Sequence, residues 1–191
     1  VIKDPSFLRE VLSYEIARNY LPSPRANYAN VYVNDTLWGL YVNVEAINDK
    51  YTNKHYATVN SPLIKCNPLN LDMTPSGENS NLSNTHGNDS SFYYNYYDLK
   101  SNTGWADLYT LIDNLNNNVS AIDNYLNVDR TLWMHAFNYA LINFDSYVGY
   151  GQNYYLYKGL SNQFQPILWD LNMSFGGFRL TDATQSFFNG F

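Results

Sequence analysis

Two acids and an amide stand at the ends of apolar segments in the second half of the chain: Asp145 and Asn153 flank the approach to Tyr154-Tyr-Leu-Tyr157, and Asp170 follows Pro166-Ile-Leu-Trp169. Sites that move a phosphoryl group are built this way. The transferred phosphate carries dispersed negative charge, so a carboxylate orients the attacking hydroxyl while oxygen ligands hold magnesium against the nucleotide phosphates. Asp145 suits the first task, and Asn153 with Asp170 the second. Each residue also has an ordinary role open to it: Asp145 and Asp170 as turn formers, Asn153 as a polar cap on the strand that follows. Their order and joint spacing favour the chemical reading.

Base, then amide, then metal-binding acid before a Phe-Gly is the order of the protein kinase catalytic loop and its Asp-Phe-Gly segment. The details differ. No His-Arg precedes Asp145, Asn153 lies eight residues beyond it where kinases have about five, and Phe175-Gly176 comes five residues after Asp170 instead of directly. On these residues the chain resembles the CotH family, the spore-coat-type atypical protein kinases, in its Asn-x-Asp, Asn-Tyr-Tyr-Leu-Tyr and Trp-Asp-Leu-Asn-x-x-Phe-Gly segments. The likeness also covers Phe7 to Glu10, Pro22 to Arg25 and Trp38 to Glu45, nearly the whole chain.

That resemblance implies a kinase-like fold and Mg²⁺- and ATP-dependent phosphate transfer to Ser or Thr of secreted, surface or coat proteins. It implies further roles as well. Glu10 would be the helix acid that pairs with a phosphate-gripping lysine, Glu45 would lie by the hinge that meets the adenine, Lys65 would touch a phosphate, and Phe164 would stack on the adenine ring. Ordinary alternatives are a solvated helix acid for Glu10 and also for Glu15, a strand-end charge for Lys65 and core packing for Phe164. Lys158 and Arg179 are the basic residues nearest the acids in sequence and could screen phosphate charge. Where the family's commonest form has Asp, this chain has Asn172, which leaves a neutral oxygen in place of an anionic metal ligand.

Composition narrows the partners. A net charge of −6 with eleven scattered Lys and Arg argues against DNA or RNA, whose phosphates are held by clustered cations. Aromatic residues make up 17 % of the chain, a level common in secreted bacterial proteins, so an extracellular or cell-surface location is expected. Tyr serves packing because its ring fills a core while its hydroxyl finds water. No run of about eighteen apolar residues is present, so no membrane span is expected, and any signal peptide or lipid anchor would lie upstream. The single Cys66 allows no internal disulfide and reads as a buried, inert thiol. His86, without a second His or Cys at ligand spacing, is not read as a metal ligand.

The elements that must position these residues follow from pattern. Asp4 and Pro5 start a helix, and Phe7, Leu8, Val11, Leu12, Ile16 and Tyr20 keep its spacing until Pro22. A hairpin over Tyr28–Val33 and Leu37–Val44 turns at Asn34-Asp35-Thr36. Residues 67–96 are rich in Asn, Ser, Thr, Gly and Pro and read as a surface loop. Helices then run through Trp105 to Leu115, through Ile122 to Leu126, and from about Asp129 to Phe144; the last is predicted to be buried on most sides and to present Asp145 at its end. Together these give an α+β, kinase-like domain, with residues 1–66 as an amino-terminal part short of its glycine-rich strands and lysine, and residues 97–191 as a largely helical carboxy-terminal part. The chain is thus expected to be a piece of a longer protein. A noncatalytic surface, coat or glycan-binding protein is the alternative, and a glycosidase using Asp145 and Asp170 a third.

Overall fold

The computed structural model describes residues 4–58, 60–74 and 76–178, an α+β arrangement of helices around small antiparallel sheets. Helix α1 (Leu8–Ala17) begins three residues later than the periodicity predicts, because Phe7 is left-handed at φ 60°. Asp4 still caps the turn: its carboxylate accepts the N–H of Ser6 at 3.2 Å and that of Arg9 at 2.9 Å. The helix stops where the N–H groups of Tyr20 and Leu21 both close on the Ala17 carbonyl, just ahead of Pro22.

Strands β1 (Ala26–Val33) and β2 (Thr36–Val44) form the expected hairpin as a separate two-stranded sheet. Asn34 and Asp35 both have positive φ, 49° and 61°, in a two-residue turn whose twist matches the flanking strands. Tyr32, Leu37, Trp38 and Tyr41 on this hairpin are exposed.

The second sheet brings together strands far apart in sequence: β3 (Leu63–Cys66), β4 (Tyr97–Leu99), β5 (Tyr154–Lys158) and β6 (Phe164–Leu168), in the order β4-β3-β5-β6 and antiparallel throughout. Side chains alternate across a strand, so the sheet divides the core in two. Ile64, Cys66, Tyr154, Leu156, Phe164 and Leu168 pack on one side with α1, helix α4 (Trp105–Asn117) and helix α5 (Val128–Ala140). Leu63, Tyr155, Tyr157 and Ile167 pack on the other with Ile47 and with Tyr51 of helix α2 (Asp49–Tyr56). The pattern gave no sign of α2, whose sequence is mostly polar; its start is set by Asn48, which accepts the N–H groups of Lys50 and Tyr51.

Residues 67–96 are anchored more firmly than a polar loop suggests. The short helix α3 (Ser90–Tyr93) lies within them. Tyr154 donates its hydroxyl to the Ser80 carbonyl at 2.6 Å, Tyr97 accepts the Leu82 N–H at 2.9 Å, and His86 pairs with Glu78 at 2.6 Å. Helix α5 is capped by Asn127 and is not buried on most sides: Leu132, Trp133 and Tyr139 are exposed, while Met134, Phe137 and Asn138 face the core. Cys66 is buried and unpaired, and burial pushes its thiol well up. Among the described residues no helix is long and apolar enough to cross a membrane.

Candidate active site

Asp145 lies past the end of α5, where Ile142 takes a positive φ of 50° and turns the chain. Its neighbours hold it on both sides: Phe144 and Ser146 are buried, and Ser146 donates its hydroxyl to the Asn143 carbonyl at 2.7 Å. The next helical turn, α6 (Tyr147–Tyr150), brings the chain back, so that Gln152 donates to Asp145 Oδ1 and Asn153 Nδ2 donates to the Asp145 carbonyl at 2.9 Å. Burial, then the charge of Asp170, raises the Asp145 carboxyl to about 6 against the pull of the Gln152 bond.

Asp170 follows β6 in a left-handed conformation, φ 54°, as does Asn153 ahead of β5 at φ 59°. Such positions suit Asn and Asp better than other side chains that carry a Cβ. The Asp170 N–H donates to the phenol of Tyr14, a fully buried α1 side chain, at 3.1 Å. Burial raises the Asp170 carboxyl, while the Asn172 N–H and the positive charge of Lys65 oppose that rise. One turn before Tyr14, Glu10 is raised to about 7 by burial and then by Asp170. Glu10 and Asp145, on separate parts of the chain, thus each feel the charge of Asp170.

Two further contacts fix the geometry. Arg9 donates Nη1 to the carbonyls of Ser174 and Phe175 at 2.6 and 2.8 Å, which ties α1 to the segment after Asp170. The N–H groups of Phe175 and Gly176 bond to the carbonyls of Leu141 and Ile142 at 2.6 and 3.2 Å, which ties that segment to the turn leading into Asp145.

Lys65 reaches this centre from β3. Its register partner is Tyr155, its Nζ lies 5.9 Å from the centroid of the Trp169 ring, and it attracts Asp170. It also lines a cleft of about 690 Å³ with Tyr94, Asp98 and Trp105. That volume is in the range of small-molecule sites.

The other expected residues fall elsewhere. Phe164 is buried in the core at the far end of β6, on the opposite face of the sheet from Lys65, so it is not free to stack on a ligand. Glu45 has both carboxylate oxygens engaged, by the Arg25 N–H at 3.0 Å and by Lys54 at 3.0 Å; these outweigh burial and hold it below its ordinary value. Lys158 is paired with Asp107 at 2.5 Å instead of standing near the acids. Arg179 lies outside the described residues. Arg9, Tyr14, Gln152 and Trp169 went unnoticed in the sequence. Arg9 and Trp169 lie inside family-like segments that were read for their neighbours, and Tyr14 stands four residues from Glu10 on the same helical face.

The family model of CotH kinase proteins matches residues 1–190. The chain belongs to that family. A search of the curated proteins found no match. In this CotH kinase family member Asp170, Asn153 and Asn172 carry the kinds of oxygen that a hard divalent cation takes. Asp170 brings an anionic carboxylate, Asn153 keeps its amide oxygen after its nitrogen bonds to Asp145, and Asn172 Oδ1 is buried with no hydrogen-bond partner. Among the described residues no three His, Cys, Asp or Glu side chains converge closely enough to hold a metal by themselves. The fit therefore rests on Asp170, two amide oxygens and the phosphates of a nucleotide.

Proposed function

We propose that the domain is a kinase-like fold that transfers the γ-phosphate of ATP, with Mg²⁺, to Ser or Thr hydroxyls of surface or coat proteins outside the cell. The observation that carries this reading is the electrostatic coupling of Asp145 to Asp170, which sit on separate elements bolted together by the Phe175 and Gly176 amides.

Asp145 is the base. Its carboxylate is fixed by Gln152, and a value raised to about 6 makes it a better proton acceptor than a solvated aspartate while leaving it mostly ionised at neutral pH. It orients the substrate hydroxyl and receives its proton as the oxygen attacks the γ-phosphorus and the bond from that phosphorus to the bridging oxygen breaks, releasing ADP. Asp170, with the oxygens of Asn153 and Asn172, would hold Mg²⁺, which when bound neutralises charge on the nucleotide phosphates. Lys65, on the strand beside β5 and close enough for its charge to act on Asp170, would meet those phosphates. Glu10, on the helix that Arg9 and Tyr14 tie to the Asp170 segment, would sense whether the metal charge is present.

Radiolabelled phosphate transfer to a Ser-rich surface protein, alongside nucleotide titration with and without Mg²⁺, tests the reading. Magnesium-dependent ATP binding and transfer are expected of the full-length protein. Glycan binding without nucleotide binding would favour the noncatalytic or the glycosidase alternative instead.

A further inference from the structure

A second pocket, of about 470 Å³, opens where the end of α1, the start of β1, α2 and the first turn of α5 meet. Arg18, Arg25, Lys54 and Arg130 line it, four of the chain's eleven Lys and Arg, and no acidic residue is among its lining. Gathering like charges in a chain of net charge −6 is unfavourable unless an anion offsets them.

The cations are largely uncommitted. Arg18 and Arg130 each donate one Nη1 to a backbone carbonyl, Pro24 at 3.2 Å and Tyr20 at 3.1 Å, which fixes both guanidinium groups and leaves their other N–H groups available. The Arg25 side chain has no carboxylate within ion-pair distance among the described residues, and Lys54 alone meets one, Glu45 at 3.0 Å. His55 also lines the pocket, and its Nε2 is buried with no hydrogen-bond partner. Burial, then Lys54 and Arg25, hold its imidazole below its ordinary value, against Glu45. As a neutral ring it can still donate one N–H to an oxyanion.

An aromatic ledge adjoins these charges. Tyr20 lines the pocket and stacks on Trp133 at 5.3 Å, both rings exposed. Free phosphate needs no such ledge, whereas a peptide that carries a phosphate beside an apolar residue uses both parts.

We propose that this pocket binds a phosphomonoester dianion, and that its source is a phosphorylated Ser or Thr side chain whose apolar neighbour rests on Tyr20 and Trp133. The choice of a phosphorylated side chain rests on the kinase reading above; the domain would then favour substrates that already carry phosphate.

The test titrates the 191-residue chain by calorimetry with inorganic phosphate, with a phosphoserine peptide bearing an adjacent Leu, and with the same peptide unphosphorylated. The phosphopeptide is expected to bind more tightly than inorganic phosphate, and the unphosphorylated peptide not to bind. Arg25→Gln, at an exposed side chain, should weaken phosphopeptide binding about tenfold or more without changing thermal stability, since hydrogen bonds between charged groups are the strong ones. Equal binding of both peptides, or parental affinity in Arg25→Gln, overturns the proposal. So does loss of phosphopeptide binding on saturation with Mg-ATP or in Asp170→Asn, because the phosphate would then be reading the nucleotide site. Arg25-dependent phosphopeptide binding alongside a full-length protein that transfers no phosphate would leave this site standing and remove the kinase reading.

Discussion

The backbone N–H of Asp170 donates to the phenol oxygen of Tyr14 across 3.1 Å, so the first helix of the chain sets the position of an acid far along it in sequence. Glu10 one turn earlier, and Arg9 beside it, complete that coupling from the same helix. The position of α1 and the state of Asp170 are therefore linked.

Tyr14→Phe removes the acceptor and leaves a part-buried N–H without this partner. Loss of about 1–3 kcal/mol of stability is expected in urea unfolding. Mg-ATP affinity should fall with it. Parental stability and affinity together would show that the contact does not position Asp170.

Asp145→Asn separates chemistry from binding. Asn keeps the size and the turn-forming character of Asp but cannot accept the hydroxyl proton, so turnover should drop by orders of magnitude while Mg-ATP affinity stays within a few-fold. Parental turnover would remove the base assignment.

Asp170→Asn takes away the charge that raises both Glu10 and Asp145. Carboxyl titrations followed by NMR should show both groups moving down toward their ordinary values, and Mg²⁺-dependent nucleotide binding should be lost. Unmoved titrations would mean that the three acids do not share a site.

Glu10 gives a pH signature. Its folded-state value, about 7, lies above its unfolded one of 4.5, so the folded chain holds the proton more tightly. The resulting stability is fully present below the unfolded value and is lost as pH rises through the folded one. Glu10→Gln should therefore gain melting temperature relative to the parent as pH rises from about 4.5 to about 7. Comparison with the parent matters, because His55, held below its ordinary value, destabilises the fold as pH falls and acts in the opposite direction. A parent-to-variant difference that did not change with pH would contradict the buried placement of Glu10.

Gly151 precedes Gln152 and Asn153 at φ 58°, and a Cβ there would come within 2.9 Å of Asn81 Cβ. Gly151→Ala should cost more than about 1 kcal/mol through conformation and crowding. Turnover should fall too, since the strained loop carries both partners of Asp145. Unchanged stability would mean that the loop at residue 81 yields freely.

Much of the local structure was legible in the sequence because it rests on neighbours. Asp4 and Pro5 announce α1, and Asn34 and Asp35 make the turn their types allow. The order Asp145, Asn153, Asp170 pointed to the CotH kinase family before any geometry was known, and the family model matches residues 1–190.

Tertiary structure alone decided the rest. Which face of the sheet a side chain occupies depends on strand parity and register, and these place Lys65 with Trp169 and send Phe164 into the opposite core. Helix α2 carries too few apolar residues to show a period, and it forms because Tyr51 finds a buried site across the chain. The elevation of Glu10 and Asp145 is likewise invisible in one dimension. A carboxylate's proton affinity is set by how much water it loses and which charges face it, and folding supplies both only when α1, the end of α5 and the segment after β6 are brought together.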